Sequence, residues 1–156
     1  MPMRSEAVSA KAFIYRDSHF LLQHRDRDPT IFYPDHWGLF GGSIDAGETP
    51  EQGLLRELEE ELNWSAGRGI YLYPWYPGDG SVVHLFLMDL DVPFAELELH
   101  EGIEMRLVGA EAMRVLKLAP EVEQNLDKIL ATVREIVSDS WGFINKNSEK
   151  EERYND

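Results

Sequence analysis

GSIDAGETPEQGLLRELEEELNW, residues 42–64, sets seven acidic residues against a single Arg in twenty-three positions. Thr49 stands there as an N-cap, Pro50 suits the first helical position, and Gln52 completes a T-x-x-Q capping box. A helix is therefore predicted from Pro50 to about Leu62, with Leu54, Leu55, Leu58 and Leu62 as its apolar stripe. Glu57, Glu60 and Glu61 fall at i, i+3 and i+4, on another side. Like charges at those separations repel by roughly 0.2–0.5 kcal/mol per pair, where interleaved Lys would stabilise. A divalent cation would turn that repulsion into affinity. One face of the helix packs and the other is arranged to bind.

Upstream, AVSAKAFIYR (7–16) reads as a strand, and a turn at Asp17-Ser18 leads into HFLLQHR (19–25) as its hairpin partner. The polar stretch from Asp26 to His36, with two Pro, reads as a loop. Trp37 to Phe40 is a short apolar strand expected to stop at Gly41-Gly42. Downstream, RGIYLYPWY (68–76) and SVVHLFLMDLDV (81–92) flank Pro77-Gly78-Asp79-Gly80 as strand, turn and strand. The second of these is apolar nearly throughout, as a central strand covered on both faces would be. Residues 93–102 read as irregular, Glu104–Val108 as a strand and Ala110–Leu116 as a short helix. From Pro120, the apolar positions Val122, Leu126, Ile129, Leu130, Val133, Ile136 and Val137 predict one amphipathic helix. Strands mixed with helices imply an α/β fold, a mixed sheet covered by helices on both sides.

A chain of 156 residues is expected to form one domain, taken here as residues 1–141, followed by a polar, mobile tail at 142–156. Zero Cys excludes disulfides, thiolate nucleophiles and Cys-ligated zinc, and agrees with a reducing cytoplasm. No apolar run reaches the ~18 residues of a membrane helix, and the N-terminus lacks a signal-peptide core. A net charge of −14 argues against wrapping nucleic-acid backbone, since that affinity comes from Lys and Arg. An anionic small molecule remains compatible if metal ions bring it in.

The acidic segment resembles the Nudix box, G-x5-E-x7-R-E-U-x-E-E-x-G-U, where U is aliphatic or aromatic. Gly42, Glu48, Arg56, Glu57, Leu58, Glu60, Glu61 and Trp64 fall in register, eight of nine defined positions. The exception is Asn63, where the family has Gly. The position follows the helix and wants a left-handed residue, for which Asn is the best substitute. Phe40 stands where the family usually has Pro, a difference that bears on loop entry or specificity and not on metal ligands. The order of elements is similar to the small MutT-like branch, in which a Glu-Gly pair in a later loop adds a carboxylate. Glu101-Gly102 matches that pair, and Arg25 matches an Arg that often contacts substrate. Members that cleanse oxidised guanine nucleotides read the base with an Asn where this chain has Ala119-Pro120-Glu121, which argues against that specificity.

The resemblance implies a Nudix-type α/β/α sandwich and hydrolysis of a nucleoside diphosphate linked to another group. It implies Mg²⁺, with Mn²⁺ as a substitute, held by Glu57, Glu60, Glu61, Glu101 and the Gly41 carbonyl. Arg56 would pair with a catalytic Glu, Glu48 would brace the loop against the helix, and Gly42 would shape the motif. Glu57 and Glu101 are both candidates for general base. The favoured substrate is a (d)NTP, giving a nucleoside monophosphate and pyrophosphate. A nucleotide sugar or dinucleoside compound is the first alternative, and a silent nucleotide-binding module the second. Isopentenyl diphosphate isomerases share the fold but need a Cys, and messenger decapping would want a basic surface. Tyr71, Tyr73, Trp75 and Tyr76 are expected in the core, at a base or at a homodimer contact.

Overall fold

Among the described residues, seven strands pair into one mixed sheet: β1 (Val8–Arg16), β2 (His19–His24), β3 (Trp37–Gly38), β4 (Phe40–Ser43), β5 (Ile70–Trp75), β6 (Val82–Asp89) and β7 (Glu104–Gly109). Helices α1 (Pro50–Leu62), α2 (Ala110–Met113) and α3 (Pro120–Glu123) join them, and a further helical stretch covers residues 126–136. The computed structural model describes residues 7–136, in two units that divide between Glu123 and Gln124. Val137 and the 142–156 tail lie outside the described residues.

The Asp17-Ser18 turn forms as its sequence predicts, with φ of 51° and 67° at its two residues, the left-handed pair that a tight hairpin needs. Along one edge, β1 runs parallel to β6 from Val8↔Val82 to Tyr15↔Asp89. β5 closes antiparallel on the far side of β6, so β6 is central and nearly all its apolar residues are buried. β7 pairs antiparallel with β2.

The other edge of β1 is shared. β2 pairs with it only over Ile14–Arg16, and then the two strands diverge. Residues 37–43 fill the wedge: β3 continues the ladder on β2, and β4 takes up the free half of β1 from Ala12↔Phe40 to Ser9↔Ser43. Leu39 is the changeover. Its N–H donates to Glu121 Oε2 at 3.2 Å and its carbonyl accepts from Gln23 Nε2 at 3.1 Å, so two buried side chains replace the missing ladder. The single strand expected at 37–40 is thus two, and pairing continues through Gly41-Gly42 instead of ending there. Gly41 is in the left-handed half of conformational space at φ 135°, and a Cβ would collide with the Ala10 carbonyl. These glycines let a strand pass close; they do not stop it.

On one face of the sheet, α1 buries Leu54, Leu58 and Leu62 against Ala10, Ala12, Ile14, Leu21, Phe40, Phe86 and Met88. Each Leu contributes about 1.5–3 kcal/mol of transfer free energy. The small Ala10 and Ala12 let the helix approach β1. Phe40, in the place of the family's Pro, lies in this core.

After β6 the irregular stretch holds a 3₁₀ turn at Phe94–Glu96, and α2 ends at Met113, short of Leu116. The helix expected from Pro120 onward is interrupted. α3 stops at Glu123, a turn covers residues 124–125, and helix resumes over 126–136, where the Asn125 carbonyl accepts from Ile129 N–H at 2.9 Å. Apolar periodicity survives such a break, which is why it misleads, whereas Asn is a poor helix-interior residue. No helix among the described residues is long and apolar enough to cross a membrane.

Candidate active site

The limits of α1 place its carboxylates. Thr49 Oγ1 accepts from Gln52 N–H at 3.1 Å, and Gln52 Oε1 accepts from Thr49 N–H at 2.9 Å, forming the predicted capping box. At the other end Asn63 adopts φ 55° and ψ 42° and donates its N–H to the Glu59 carbonyl, the left-handed cap its position calls for. Between these caps Glu57, Glu60 and Glu61 share one side, but their environments differ sharply.

Arg56 is the hub. Its Nε and Nη2 grip Glu48 at 2.8 and 3.0 Å, a bidentate pair, while Nη2 also donates to the Ser43 carbonyl at 3.0 Å. Its Nη1 reaches Glu57 at 3.2 Å and the exposed Glu60 at 3.4 Å. Glu48 in turn accepts from Asp45 N–H at 2.8 Å, so the loop before the helix is tied to the helix through one guanidinium. That guanidinium and the Asp45 N–H hold the Glu48 carboxyl below its usual range, and Glu48 raises the pKa of Arg56. The Glu57 carboxyl lies over Gly42, where an added Cβ would stand 2.6 Å from its carbon and would push that carboxyl from its present place.

Glu61 is buried, and Gly41 N–H donates to its Oε1 at 3.1 Å. Burial pushes its carboxyl well above the ordinary range, and the Glu101 carboxyl, hydrogen-bonded to it, pushes further; Glu57 adds to the same effect. Glu101 arrives from a distant segment by docking on the end of α1. Glu98 and His100 donate their N–H groups to the Leu62 and Glu61 carbonyls at 3.0 and 2.8 Å, satisfying last-turn carbonyls that the helix leaves open. Gly102, at φ 87°, then crosses the end of β2, where a Cβ would fall 2.8 Å from the His24 carbonyl oxygen.

The structure therefore brings Glu57, Glu61 and Glu101 together beside Gly41 and Gly42, with Arg56 and Glu60 on the rim. Arg25 is engaged elsewhere, donating from Nε to the Phe32 carbonyl at 2.9 Å. Among the described residues no three acidic or His side chains stand as a finished ion cage, for Arg56 and the Gly41 N–H hold the carboxylates in their present places. The donor set is nonetheless all hard oxygen, the kind that suits Mg²⁺ or Mn²⁺. Sequence reasoning passes over Gln23, whose buried Oε1 finds no hydrogen-bond partner among the described residues, and Lys11, and it names Glu121 only as part of the segment that lacks the family's Asn, not as the partner of Lys11. A Lys between two Ala in a largely apolar strand is the available signal.

A family model described as NUDIX domain matches residues 5–133. Over 80 residues the chain is 36% identical to the RNA pyrophosphohydrolase of a Nitratiruptor species, covering 42% of this chain and 51% of that protein. A 22-residue stretch, 14% of this chain and 16% of the relative, is 77% identical to the 8-oxo-dGTP diphosphatase of Haemophilus influenzae. The matches thus span about half or less of these curated relatives. The MutT NUDIX hydrolase of Burkholderia pseudomallei superposes with a TM-score of 0.67 at 25% identity, covering 78% of this chain and 96% of that one. A domain match that takes in the whole of the sheet and α1, joined to this likeness of fold, means that the chain belongs to the NUDIX family as a MutT-like member.

Proposed function

We propose that this chain is a Mg²⁺-dependent pyrophosphohydrolase that converts a (d)NTP into a nucleoside monophosphate and pyrophosphate. The observation that carries this reading is the burial of Glu61 among Glu57 and Glu101, with a single backbone N–H facing it. Three converging carboxyls tolerate ionisation only with a cation between them or a proton on one of them. Glu57, Glu60, Glu61, Glu101 and the Gly41 carbonyl would hold Mg²⁺, or Mn²⁺ in its stead. When bound, the metal supplies charge neutralisation at the diphosphate oxygens and acidifies a bound water.

The chain's own residues do the rest. Arg56 holds Glu57 in one rotamer, and Glu48 anchors Arg56 to the loop, so the carboxylates are oriented before substrate arrives. Either Glu57 or Glu101 takes the proton from the attacking water. Arg25 would exchange the Phe32 carbonyl for a phosphate oxygen. A second reading, attack on the 5′ end of RNA, is favoured by the 36% identity to an RNA pyrophosphohydrolase, but the net charge of −14 opposes backbone binding. A homodimer would use the β5 edge, where Ile70 and Tyr71 stand half exposed.

A panel of nucleoside triphosphates, nucleotide sugars, dinucleoside polyphosphates and 5′-triphosphorylated RNA, resolved by chromatography, tests the reading. Monophosphate and pyrophosphate should appear from a free triphosphate, disappear with EDTA and return with Mg²⁺. Turnover that ignores chelation, or nucleotide binding without turnover, would remove it in favour of a silent binding module.

A further inference from the structure

Gln23 is a buried amide that no step of the hydrolysis uses. Strand alternation puts it on the side of β2 that carries Leu21, and its register partner Met105 packs on the same α1 core. Only 2% of the residue is exposed. One neighbour fixes the orientation of the amide: the Leu39 carbonyl can only accept, so Nε2 must face it, at 3.1 Å. Oε1 is then turned to the Glu101–Gly102 loop, where a Cβ on Gly102 would stand 2.9 Å from it. What lies in that direction is a hydrogen on the Gly102 Cα, a weak donor. Among the described residues Oε1 has no hydrogen-bond partner.

The loop above Oε1 is anchored at both ends and free between them. His100 N–H donates to the Glu61 carbonyl at 2.8 Å, and Ile103 N–H to the His24 carbonyl at 2.7 Å. Between these anchors, neither the Glu101 nor the Gly102 N–H reaches a backbone carbonyl among the described residues. A buried acceptor without a donor therefore lies beneath two uncommitted donors, an arrangement that stability alone does not account for. Gly102 is the joint. At φ 87° and without a side chain to strike the His24 carbonyl or Gln23 Oε1, it leaves room for the peptide between Glu101 and Gly102 to rotate over Gln23. The Glu101 carboxyl that this peptide carries is bonded here to Glu61.

We propose that Gln23 is a positioning residue for Glu101, whose Oε1 accepts the Gly102 N–H when Glu101 releases Glu61 to bind a cation. The same amide holds the Leu39 carbonyl through Nε2, two residues before Gly41, so one side chain spans the two segments that flank Glu61. The rotation exchanges a weak Cα–H contact for a full hydrogen bond, and it does so only in the loaded arrangement. The assignment rests on the reading of Glu101 as a metal ligand.

Amide hydrogen exchange by NMR, with Mg²⁺ alone as the probe, reads the contact in the wild type. In EDTA the Gly102 amide should exchange freely, and saturating Mg²⁺ should slow it about 10-fold or more. Gln23→Met should abolish that slowing and weaken calorimetric Mg²⁺ binding about 3–10-fold, the loss of one hydrogen bond made only with the cation present. The variant also gives up the bond to Leu39, which lowers stability with and without the metal. The quantity to compare is therefore the rise in melting temperature that Mg²⁺ produces, which should be smaller in Gln23→Met than in the wild type. A residue that merely supports the fold would leave this increment unchanged. If the variant does not fold, exchange in the wild type decides by itself. Mg²⁺ uptake with no change at the Gly102 amide, or a variant that binds Mg²⁺ as tightly as the wild type, overturns the role of Gln23 and leaves the metal site intact. A folded wild type that takes up no Mg²⁺ overturns both.

Discussion

Glu61 and Glu121 are buried to nearly the same degree, 7% and 6% exposed, and their surroundings are opposite. Glu61 faces two other carboxyls and one backbone N–H, and its proton is held tightly as a result. Glu121 faces the ammonium of Lys11 and the N–H of Leu39. Equal burial therefore has two consequences. Where anions converge, desolvation creates an appetite for a cation; where a cation is already present, the pair ties α3 to β1. The identity of the neighbours, not the depth, separates a reactive carboxylate from a supporting one.

The largest effect that would test this contrast is on turnover. Glu61→Gln should lower kcat by orders of magnitude while leaving the metal-free fold as stable as the wild type or more so, because a group that must be neutral has been replaced by one that is. Glu121→Gln should do the reverse to stability, costing about 1–3 kcal/mol by denaturant melts, since the ammonium of Lys11 loses its counter-charge. Two variants destabilised alike would erase the distinction.

Arg56 is to Glu48 and Glu57 what Lys11 is to Glu121, but with direct hydrogen bonds. Arg56→Met is expected to reduce kcat by about 10–100-fold with a smaller change in KM, because the ligands remain and only their orientation is released. Steady-state kinetics separate this from a substrate contact; a KM effect with kcat preserved would move Arg56 from positioning to binding.

A smaller signal lies in the pH dependence of stability without metal. Folding raises the pKa of Glu61, by burial first and by Glu101 next, so the folded chain holds this proton more tightly than the unfolded one. The contribution of the group is complete below the ordinary carboxylate pKa and is lost as pH rises toward the folded value. Melting curves in EDTA should show the wild type falling behind Glu61→Gln as pH increases, and Mg²⁺ should close the gap. Parallel curves would mean that Glu61 is not held protonated. The least effect is expected at the cap: Asn63→Gly should shift stability by less than about 1 kcal/mol and leave turnover unchanged.

Much of α1 is legible in its own residues. Thr49, Pro50 and Gln52 mark its start, Asn63 its left-handed end, and the spacing of Glu57, Glu60 and Glu61 puts three acids on one side. The spacing says nothing of their inequality, because one is buried and meets Glu101 while another hangs from Arg56. Resemblance places Arg25 beside substrate, and the structure finds its guanidinium on a loop carbonyl. The single short strand read at 37–40 and the unbroken helix after Pro120 mislead for a common reason: apolar runs report burial, and burial continues across a changeover or a turn.

Helix caps, the Asp17-Ser18 turn and the order of carboxylates along α1 are settled within a few residues of chain, by hydrogen bonds and spacings that no distant segment has to complete. The approach of Glu101 to Glu61, the crossing at Leu39 and the meeting of Lys11 with Glu121 depend on contacts between remote stretches. Those exist only once the sheet has closed, because it is the pairing of β1 with β4, and of the 98–100 segment with the end of α1, that brings them within reach.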